Sequence, residues 1–473
     1  MTRLFRLVTR IRRYRVIACT ALVCVAVPDV RTAPGAQTAE RAVTASRPNV
    51  VLIITDDMGY ADIGPYGARD IRTPHLDRLA REGTVFTAFY ANGVLCTPTR
   101  AGLITGRYQQ RFGLEDPLGN PTAGETRGLI ATGTSLPQLL RANGYATALV
   151  GKWHLGYDAA MSPNAHGFDW FWGLKSGYHD YYRHTDGAGK PDLWENDTPI
   201  RAEGYSTDLI AAQAVSFIER HRTRPFFVDV AFSAPHWPFQ RPGVPSVARN
   251  NGQLLAPSDS AAGTRADYVA MVERMDHGVG EVLRALDRLG LARNTIVIFT
   301  NDNGGEWLSD NGPLFNRKYT VWEGGIRVPA IVRWPGRVRA NVRTAQVGIT
   351  MDLTTSVLAA TGASVPDSAR LEGIDLFPLL AGRTAPVSRT LFWRSTFDGR
   401  TQRAVREGNW KYVRDANHDF VFDVASDPGE RHDLTHRRPD VARRLRQKLL
   451  AWEQDVDGDA RRDSTRRAAN RRN

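Results

Sequence analysis

Short runs of consecutive apolar residues alternate with helical patterns from Arg47 onward. Apolar runs of about four to eight residues are typical of strands buried on both faces of a sheet. The predicted strands are NVVLIIT (49–55), ATALVG (146–151), PFFVDVAF (225–232) and TIVIFT (295–300). Their alternation with helices predicts an α/β domain with a large, mostly parallel sheet flanked by helices.

Two helices have clear signals. The first has Thr73 as its N-cap, Pro74 at its first position and Gly83 as its stop. The second precedes the fourth strand and repeats apolar residues, Met271 and Met275 among them, every three to four positions. This spacing indicates a helix face packed in the core.

The pattern changes after about residue 385. LFWRST (391–396), RAVREGNWKYV (403–413) and FVFDV (420–424) read as shorter strands joined by turns, followed by a helix from Pro439 to about Trp452. We therefore expect a smaller C-terminal domain with an antiparallel sheet. The predicted organisation is a large α/β domain at 47–384, a small α+β subdomain at 385–458 and a basic, disordered tail at 459–473.

The net charge of +12 is concentrated at the two ends of the chain. Residues 1–36 carry +6 and residues 459–473 carry +4, which leaves only +2 for the rest. A basic face that binds nucleic acid is therefore not expected.

Residues 1–36 have the features of a secretory signal peptide. Six arginines precede an apolar run from Val16 to Val27, and small residues follow towards Ala36. The run is shorter than a transmembrane helix requires. We therefore expect export to the periplasm or the extracellular space without stable membrane insertion. A single N-terminal anchor is the alternative.

Of the three cysteines, Cys19 and Cys24 lie in this segment, which leaves Cys96 as the single thiol of the mature chain. No disulfide can then form within the mature chain. A lone cysteine is commonly an inert buried side chain, so a functional role requires support from its surroundings.

Polar clusters follow each of the four predicted strands. They are Asp56-Asp57, Lys152-Trp153-His154, Pro235-His236 and Asn301-Asp302-Asn303. Ligands of open α/β sheets bind outside the carboxyl ends of the strands, so these clusters are expected to meet in one cleft. Asp56, Asp57, Asp302 and Asn303 offer only oxygen atoms, which suit Ca²⁺ or Mg²⁺ better than zinc.

The motif CTPTRAGLITGR (96–107) combines a thiol with a helix start. Pro98 is suited to open a helix, which would place Cys96 at its N-terminus, where free amide groups favour an anion. Arg100 would lie one turn along, where its charge could stabilise a nucleophile or a substrate.

This motif resembles the C-x-P-S-R…T-G-R signature of the type I sulfatases, within the alkaline phosphatase superfamily. The resemblance continues in the same order through nearly the whole mature chain. Its other motifs are TDDMGYADIGPYG, GKWHLG, APHWPF, TNDNGG, KYTVWEGGIRVP, REGNWKYV and FDVASDPGERHDL. It implies an alkaline phosphatase-like fold and a sulfuric ester hydrolase that acts on a sulfated carbohydrate or an aryl sulfate.

The resemblance also implies a role for each site residue. Cys96 would be oxidised to formylglycine by a formylglycine-generating enzyme, and its hydrated form would attack the sulfate sulfur. The implied ligands of Ca²⁺, or of Mg²⁺ in its place, are Asp56, Asp57, Asp302, Asn303 and the modified Cys96. Arg100, Lys152 and His154 would position and activate the formylglycine, and Lys152 would also reach the sulfate. His236 and Lys318 would bind the sulfate and protonate the leaving oxygen.

The sequence departs from the family pattern at two places. Thr99 stands where serine is commonest, and FNRK (315–318) replaces a glycine-rich approach to the lysine, which affects the shape of the substrate rim. The segment GYHDYYRHT (177–185) could line a substrate cleft or be a packed surface loop. Two other functions remain open: a phosphate or phosphonate ester hydrolase of the same superfamily, and a non-catalytic protein that binds sulfated glycans.

Overall fold

The structure is a computed structural model that describes residues 47–119, 127–244 and 263–470, with side chains as far as residue 460. The predicted signal peptide at 1–36 lies outside the described residues. Within these ranges, no helix combines the length and the apolar character needed to cross a lipid bilayer.

The strands are β1 (Asn49–Thr55), β2 (Thr84–Phe86), β3 (Phe89–Tyr90), β4 (Ala146–Lys152), β5 (Trp170–Leu174), β6 (Trp194–Glu195), β7 (Thr198–Pro199), β8 (Phe226–Ala231), β9 (Thr295–Asn301), β10 (Ala330–Arg333), β11 (Val342–Thr344), β12 (Gly348–Ile349), β13 (Thr390–Phe397), β14 (Arg400–Glu407), β15 (Trp410–Asp415) and β16 (His418–Asp423). The helices are α1 (Pro74–Glu82), α2 (Cys96–Thr105), α3 (Leu136–Ala142), α4 (Ser206–Arg220), α5 (Arg265–Arg288), α6 (Glu323–Ile326), α7 (Thr350–Thr361), α8 (Phe377–Leu380) and α9 (Pro439–Asn470).

A large mixed sheet has the strand order β11-β2-β10-β9-β1-β8-β4-β5-β6-β7. The four strands predicted from apolar runs are its central neighbours β9, β1, β8 and β4, and these pair in parallel. Thr55 at the end of β1 pairs with Asn301 at the end of β9, so the polar residues after both strands emerge at the same level. The predicted α/β fold is confirmed.

Both faces of this sheet are buried, which explains the continuous apolar runs. Along β1, Val50 and Leu52 belong to one hydrophobic cluster, and Val51 and Ile53 belong to the cluster on the opposite face. Helices α2, α3 and α7 contribute to the first cluster, and α1, α4 and α5 to the second. The predicted apolar stripe of α5 is fully buried in the second cluster.

Strands β13 to β16 form a separate four-stranded antiparallel sheet in sequential order, as predicted for the C-terminal part. Helix α9 packs its apolar residues against this sheet, with Val441, Leu445 and Leu449 buried. The division of the chain at about residue 385 into two domains stays a prediction.

The end of α9 corrects a prediction. The helix was expected to stop near Trp452, but it continues to Asn470. The disorder of the basic segment at 459–473 stays a prediction. Acidic residues of this extension pair with arginines that are distant in sequence: Asp455 with Arg111 at 2.6 Å and Asp457 with Arg394 at 2.7 Å. These ion pairs depend on the folded chain, so local sequence could not show them.

Candidate active site at the strand ends

The floor of the site is formed where β1 and β9 end. Asp56, Asp57, Asp302 and Asn303 follow these strands and are all buried. The Asn303 side-chain amide donates to Asp57 Oδ1 at 2.7 Å, and the Asp57 backbone amide lies 3.3 Å from Asp302 Oδ1. The two acidic pairs predicted as metal ligands therefore form one connected cluster.

Cys96 is the first residue of α2 and is 3% exposed. The helix starts two residues earlier than the position of Pro98 suggests, and it places the thiol at its N-terminus as predicted. Burial raises the pKa of the Cys96 thiol, so the encoded side chain is neutral. The Thr99 hydroxyl exchanges hydrogen bonds with the backbone of Gly93 at 3.0 and 3.2 Å, a function that a serine hydroxyl could also serve.

Arg100 lies beneath the acidic cluster and is buried. Its Nε and Nη2 atoms donate to Asp302 Oδ2 at 3.1 and 3.0 Å, and its Nη1 atom donates to the Lys152 carbonyl at 3.1 Å. The guanidinium therefore fixes the position of one predicted metal ligand and of the strand end that carries Lys152.

Two buried lysines neutralise the acidic pair after β1. Lys152 Nζ lies 2.5 Å from Asp56 Oδ2, and Lys318 Nζ lies 2.6 Å from Asp57 Oδ2. Burial by itself would lower the pKa of each lysine, but the adjacent carboxylate outweighs it and raises both pKa values. Both ammonium groups therefore stay charged inside the site.

The backbone before Lys152 requires glycine. Gly151 has a φ of +118°, and a Cβ atom there would lie 2.0 Å from the Ala231 carbonyl oxygen. The glycine lets β4 remain against β8 while the chain turns Lys152 into the site. Asp57 and His154 also have positive φ values, of 61° and 57°. Such conformations cost free energy and are concentrated at functional sites.

The two predicted histidines occupy different environments. His154 Nε2 donates to the Leu118 carbonyl at 3.1 Å, and burial lowers the pKa of this histidine well below its usual value. His236 Nδ1 donates to the Trp237 carbonyl at 2.5 Å, and Nε2 lies 3.3 Å from Asp57 Oδ2. Burial lowers the pKa of His236 to about 3, so this imidazole is neutral.

The possible metal ligands include a histidine that the sequence assigned to another role. Asp56, Asp57, Cys96 and His236 offer ligand atoms that all lie within 4.8 Å of one another. Asp302 belongs to the same cluster, but its two oxygens accept from the Asp57 amide and from Arg100. Asp56 Oδ1 and Asn303 Oδ1 are buried without a hydrogen-bonding partner among the described residues, which is what a cation site requires of its oxygen ligands.

A cleft of about 250 Å³ opens above this cluster. Its floor includes Cys96, His154, His236 and Lys318. Its walls are largely aromatic and are formed by Tyr157, Tyr178, Trp237, Tyr319 and Phe397. Phe397 belongs to β13, so the C-terminal sheet contributes to the wall, and its ring stacks on Tyr319 with centroids 4.8 Å apart.

The segment 177–185 fulfils both of its predicted alternatives. Gly177 and Tyr178 line the cleft, and the Tyr178 ring lies 4.3 Å from that of Trp237. Most of the remaining segment is buried or half-buried, and Arg183 is exposed. Tyr181 is buried, and its hydroxyl donates to the backbone carbonyls of Ser233 and His236 at 2.8 Å.

Sequence reasoning missed Glu306 and most of the aromatic wall. Glu306 is buried, and its Oε2 lies 3.3 Å from Lys318 Nζ. Its position directly after the motif TNDNGG was a signal that could have identified it. Tyr319 directly follows Lys318, whereas Phe397 lies in the C-terminal sheet and carries no signal in the sequence.

Comparisons with known proteins agree with this geometry. The family model described as "Sulfatase" matches residues 48–363, and the model described as "N-sulphoglucosamine sulphohydrolase, C-terminal" matches residues 312–455. N-acetylgalactosamine-6-sulfatase of Rattus norvegicus is 36% identical over 392 residues, which cover 77% of this chain and 71% of the relative. Arylsulfatase A of Bos taurus is 32% identical over 456 residues and covers 84% and 85% of the two chains.

Solved structures show the same architecture. The crystal structure of Ps i-CgsB matches with a TM-score of 0.78 and 30% sequence identity, and the match covers 87% of this chain and 94% of that one. The same protein has been solved in complex with k-i-k-neocarrahexaose. Phosphonate monoester hydrolase of Agrobacterium radiobacter, at 21% identity and a TM-score of 0.63, shares the fold. The matched family model, the relatives and the alkaline phosphatase-like fold together show that the chain belongs to the sulfatase family and is a sulfuric ester hydrolase.

Proposed function

We propose that the chain hydrolyses the sulfate ester of a sulfated carbohydrate through a formylglycine nucleophile made from Cys96, with a divalent metal bound beside it. The observation that carries this proposal is the position of Cys96. Its sulfur lies at the start of α2, at the floor of the cleft and within 4.8 Å of carboxylate oxygens of Asp56 and Asp57. Conversion by a formylglycine-generating enzyme would give the hydrated aldehyde whose hydroxyl attacks the sulfate sulfur.

The residues present fit a hard divalent cation. Asp56, Asp57, Asp302 and Asn303 would hold it through oxygen atoms, two of which are buried and otherwise unpartnered. Carboxylate and amide oxygens favour Ca²⁺, with Mg²⁺ as the second choice. When bound, the ion would lower the pKa of the nucleophile and neutralise charge on the sulfate.

The lysines supply positive charge from the protein itself. Lys152 and Lys318 lie on either side of the acidic pair, and Lys318 also lines the cleft. Negative charge develops on the sulfuryl oxygens and on the leaving oxygen during the reaction, and fixed cations in a site shielded from water stabilise it. The enclosing cleft keeps these charges largely unscreened.

A proton donor is needed for the departing alkoxide. His236 and Lys318 both reach the cleft beside Cys96, which agrees with their assigned roles. Lys318 is the one of the two that already carries the proton, since the adjacent Asp57 carboxylate keeps its ammonium charged, whereas the neutral His236 would need to be protonated at Nε2 before it could donate. His154 keeps its ring fixed through Leu118 and leaves Nδ1 without a hydrogen-bonding partner among the described residues.

The aromatic walls favour a carbohydrate as the alcohol portion of the ester. Tyr178 with Trp237, and Tyr319 with Phe397, present ring faces on which the apolar faces of a sugar can stack. The names of the relatives support this choice, since they include an N-acetylgalactosamine-6-sulfatase and a protein solved with a neocarrahexaose. We also propose that the chain acts after export, as residues 1–36 suggest.

Two measurements test the proposal. Mass spectrometry of the tryptic peptide that contains Cys96 should show the lighter, hydrazide-reactive formylglycine in protein from the native host. Steady-state assays on sulfated mono- and oligosaccharides and on 4-nitrophenyl sulfate should then show turnover that is lost in Cys96→Ala. An intact, alkylatable thiol in active protein would contradict the nucleophile, and a fully unconverted, inactive protein would favour the glycan-binding alternative.

The competing phosphatase hypothesis is tested by the ratio of two rates. A phosphate monoester carries more negative charge than a sulfate ester, and one metal with two lysines suits the smaller charge. We expect kcat/KM for 4-nitrophenyl sulfate to exceed that for 4-nitrophenyl phosphate. The opposite order would overturn the assignment of the substrate class.

A further inference from the structure

The loop between β9 and Lys318 carries two exposed side chains that the catalytic roles do not use. It leaves the carboxyl end of β9, where the site is built, and returns to the cleft at Lys318. Trp307 directly follows Glu306, which contacts Lys318, and Arg317 directly precedes Lys318. Trp307 is 47% exposed, and Arg317 is also exposed.

These two side chains contact each other. The Arg317 guanidinium lies over the Trp307 ring, 4.8 Å from its centroid. Among the described residues, no carboxylate lies within 4.0 Å of Arg317, so the guanidinium contacts the ring without an ion-pair partner. The exposed indole is thus held beside a cation that has no carboxylate partner among the described residues.

The backbone that carries the pair is fixed. The Lys318 amide donates to the Gly305 carbonyl at 3.2 Å, which joins the two ends of the loop. The Thr320 hydroxyl donates to the Arg317 carbonyl at 2.7 Å, and the Phe315 ring packs edge-on against Trp322 at 5.1 Å. The pair is therefore held on a fixed loop that ends at Lys318, a residue of the cleft lining, and little ordering cost remains for a ligand.

We infer that Trp307 and Arg317 form a rim subsite for a second, sulfated sugar unit of the substrate. The indole offers a face for the ring of the neighbouring sugar, and the guanidinium offers paired N–H donors for its sulfate. The inference rests on the proposed function and extends it: the substrate is an oligosaccharide that carries sulfate on adjacent units. It also gives a function to the departure FNRK, which replaces a glycine-rich segment at this rim.

Competitive inhibition of 4-nitrophenyl sulfate hydrolysis tests the subsite. The inhibitors are inorganic sulfate, which fits only the catalytic centre, and a size-fractionated dextran sulfate hexasaccharide, which also reaches the rim. Arg317→Ala and Trp307→Ala should each raise the inhibition constant of the hexasaccharide about three- to tenfold more than that of inorganic sulfate. Arg317→Lys should fall between wild type and Arg317→Ala, because lysine keeps the charge and loses the planar fork.

The matched control is Arg293→Ala. Arg293 is exposed and lies just before β9, at the opposite end of that strand. The Arg293→Ala variant loses the same net charge as Arg317→Ala and should leave both inhibition constants at wild-type values. If Arg293→Ala and Arg317→Ala raise the inhibition constant of the hexasaccharide equally, the effect comes from net charge alone and the subsite is refuted. It is also refuted if both inhibitors change by the same factor in the two rim variants.

Failure of the proposed function gives a different result. In that case wild-type protein would not hydrolyse 4-nitrophenyl sulfate at all. Calorimetric titration of the same hexasaccharide into Cys96→Ala and into Cys96→Ala combined with Arg317→Ala then measures the rim directly. Loss of at least about threefold in affinity supports the subsite, and equal affinity overturns it.

Discussion

Arg100→Met tests whether the acidic cluster depends on the buried guanidinium. The substitution keeps a long apolar stem and removes three hydrogen bonds, two to Asp302 Oδ2 and one to the Lys152 carbonyl. Asp302 is fully buried and would be left as an uncompensated carboxylate. Breaking a buried ion pair from one side costs about 3–5 kcal/mol of folding free energy.

Protonation limits this cost. Burial, followed by the nearby Asp56 carboxylate, already raises the pKa of Asp302, so the acid can take up a proton once Arg100 is gone. We therefore expect a loss of about 3 kcal/mol at pH 8, the lower end of the range for a broken buried pair, and a smaller loss at pH 6. Activity on 4-nitrophenyl sulfate should fall at least about 100-fold, because the misplaced ligand disturbs the charges around the nucleophile.

The change in the free energy of unfolding is measured by urea unfolding, followed by tryptophan fluorescence. EDTA is present so that no bound metal compensates for the lost charge. Arg100→Lys should lose less than Arg100→Met because it retains the charge. Arg78→Met is the control: Arg78 pairs with Glu82 at 2.7 Å, but both side chains are about one third exposed. That pair should contribute less than about 1 kcal/mol. Equal, small losses for Arg100→Met and Arg78→Met would refute the reasoning.

Three further predictions follow from the site and its surroundings. His166 is buried, and its Nε2 donates to the Leu129 carbonyl. Burial lowers the pKa of this histidine to about 4 in the folded chain. As the pH falls below about 6.5, the unfolded chain therefore takes up a proton that the folded chain does not. Stability should drop by about 2 kcal/mol between pH 7.5 and pH 5 from this group, and His166→Gln should flatten that part of a urea-midpoint profile; an unchanged profile would contradict the neutral buried state. Adding Ca²⁺ at about 100 times its Kd to chelator-treated protein should raise the free energy of unfolding by about 2.7 kcal/mol, and Asp57→Asn should abolish most of this gain; an equal gain in the variant would place the ion elsewhere. Phe397→Ala removes a ring from the cleft wall and should raise KM for a sulfated sugar about fivefold with little change in kcat, since stacking contributes to binding in ground and transition state alike; a loss confined to kcat would argue against a wall that only binds.

Much of the fold could be predicted because the central strands are buried on both faces. Such strands must be apolar at every position, so β1, β4, β8 and β9 were recognisable as continuous runs. Their parallel arrangement puts their carboxyl ends at one edge, and the polar residues that follow each run were therefore expected to meet. The structure brings Asp56, Asp57, Cys96, Lys152, His154, His236, Asp302, Asn303 and Lys318 to that edge.

The partners within the cluster required coordinates. The family resemblance assigned His236 to the sulfate, which stays a prediction, and only the structure shows that its Nε2 also lies 3.3 Å from the Asp57 carboxylate. It also gave no reason to connect Glu306 with Lys318. These contacts depend on side-chain directions at the ends of different strands, which the order of residues does not specify.

The sequence by itself determined the central sheet, the helix that begins at Cys96 and the set of charged residues at the strand ends, because each follows from local apolar runs and short motifs. Only the tertiary structure decided how far α9 extends and what forms the walls of the cleft. Asp455 forms an ion pair with Arg111, and Phe397 stacks on Tyr319, although each pair is far apart in the sequence. Such contacts arise from the packing of whole elements, and no local pattern encodes them.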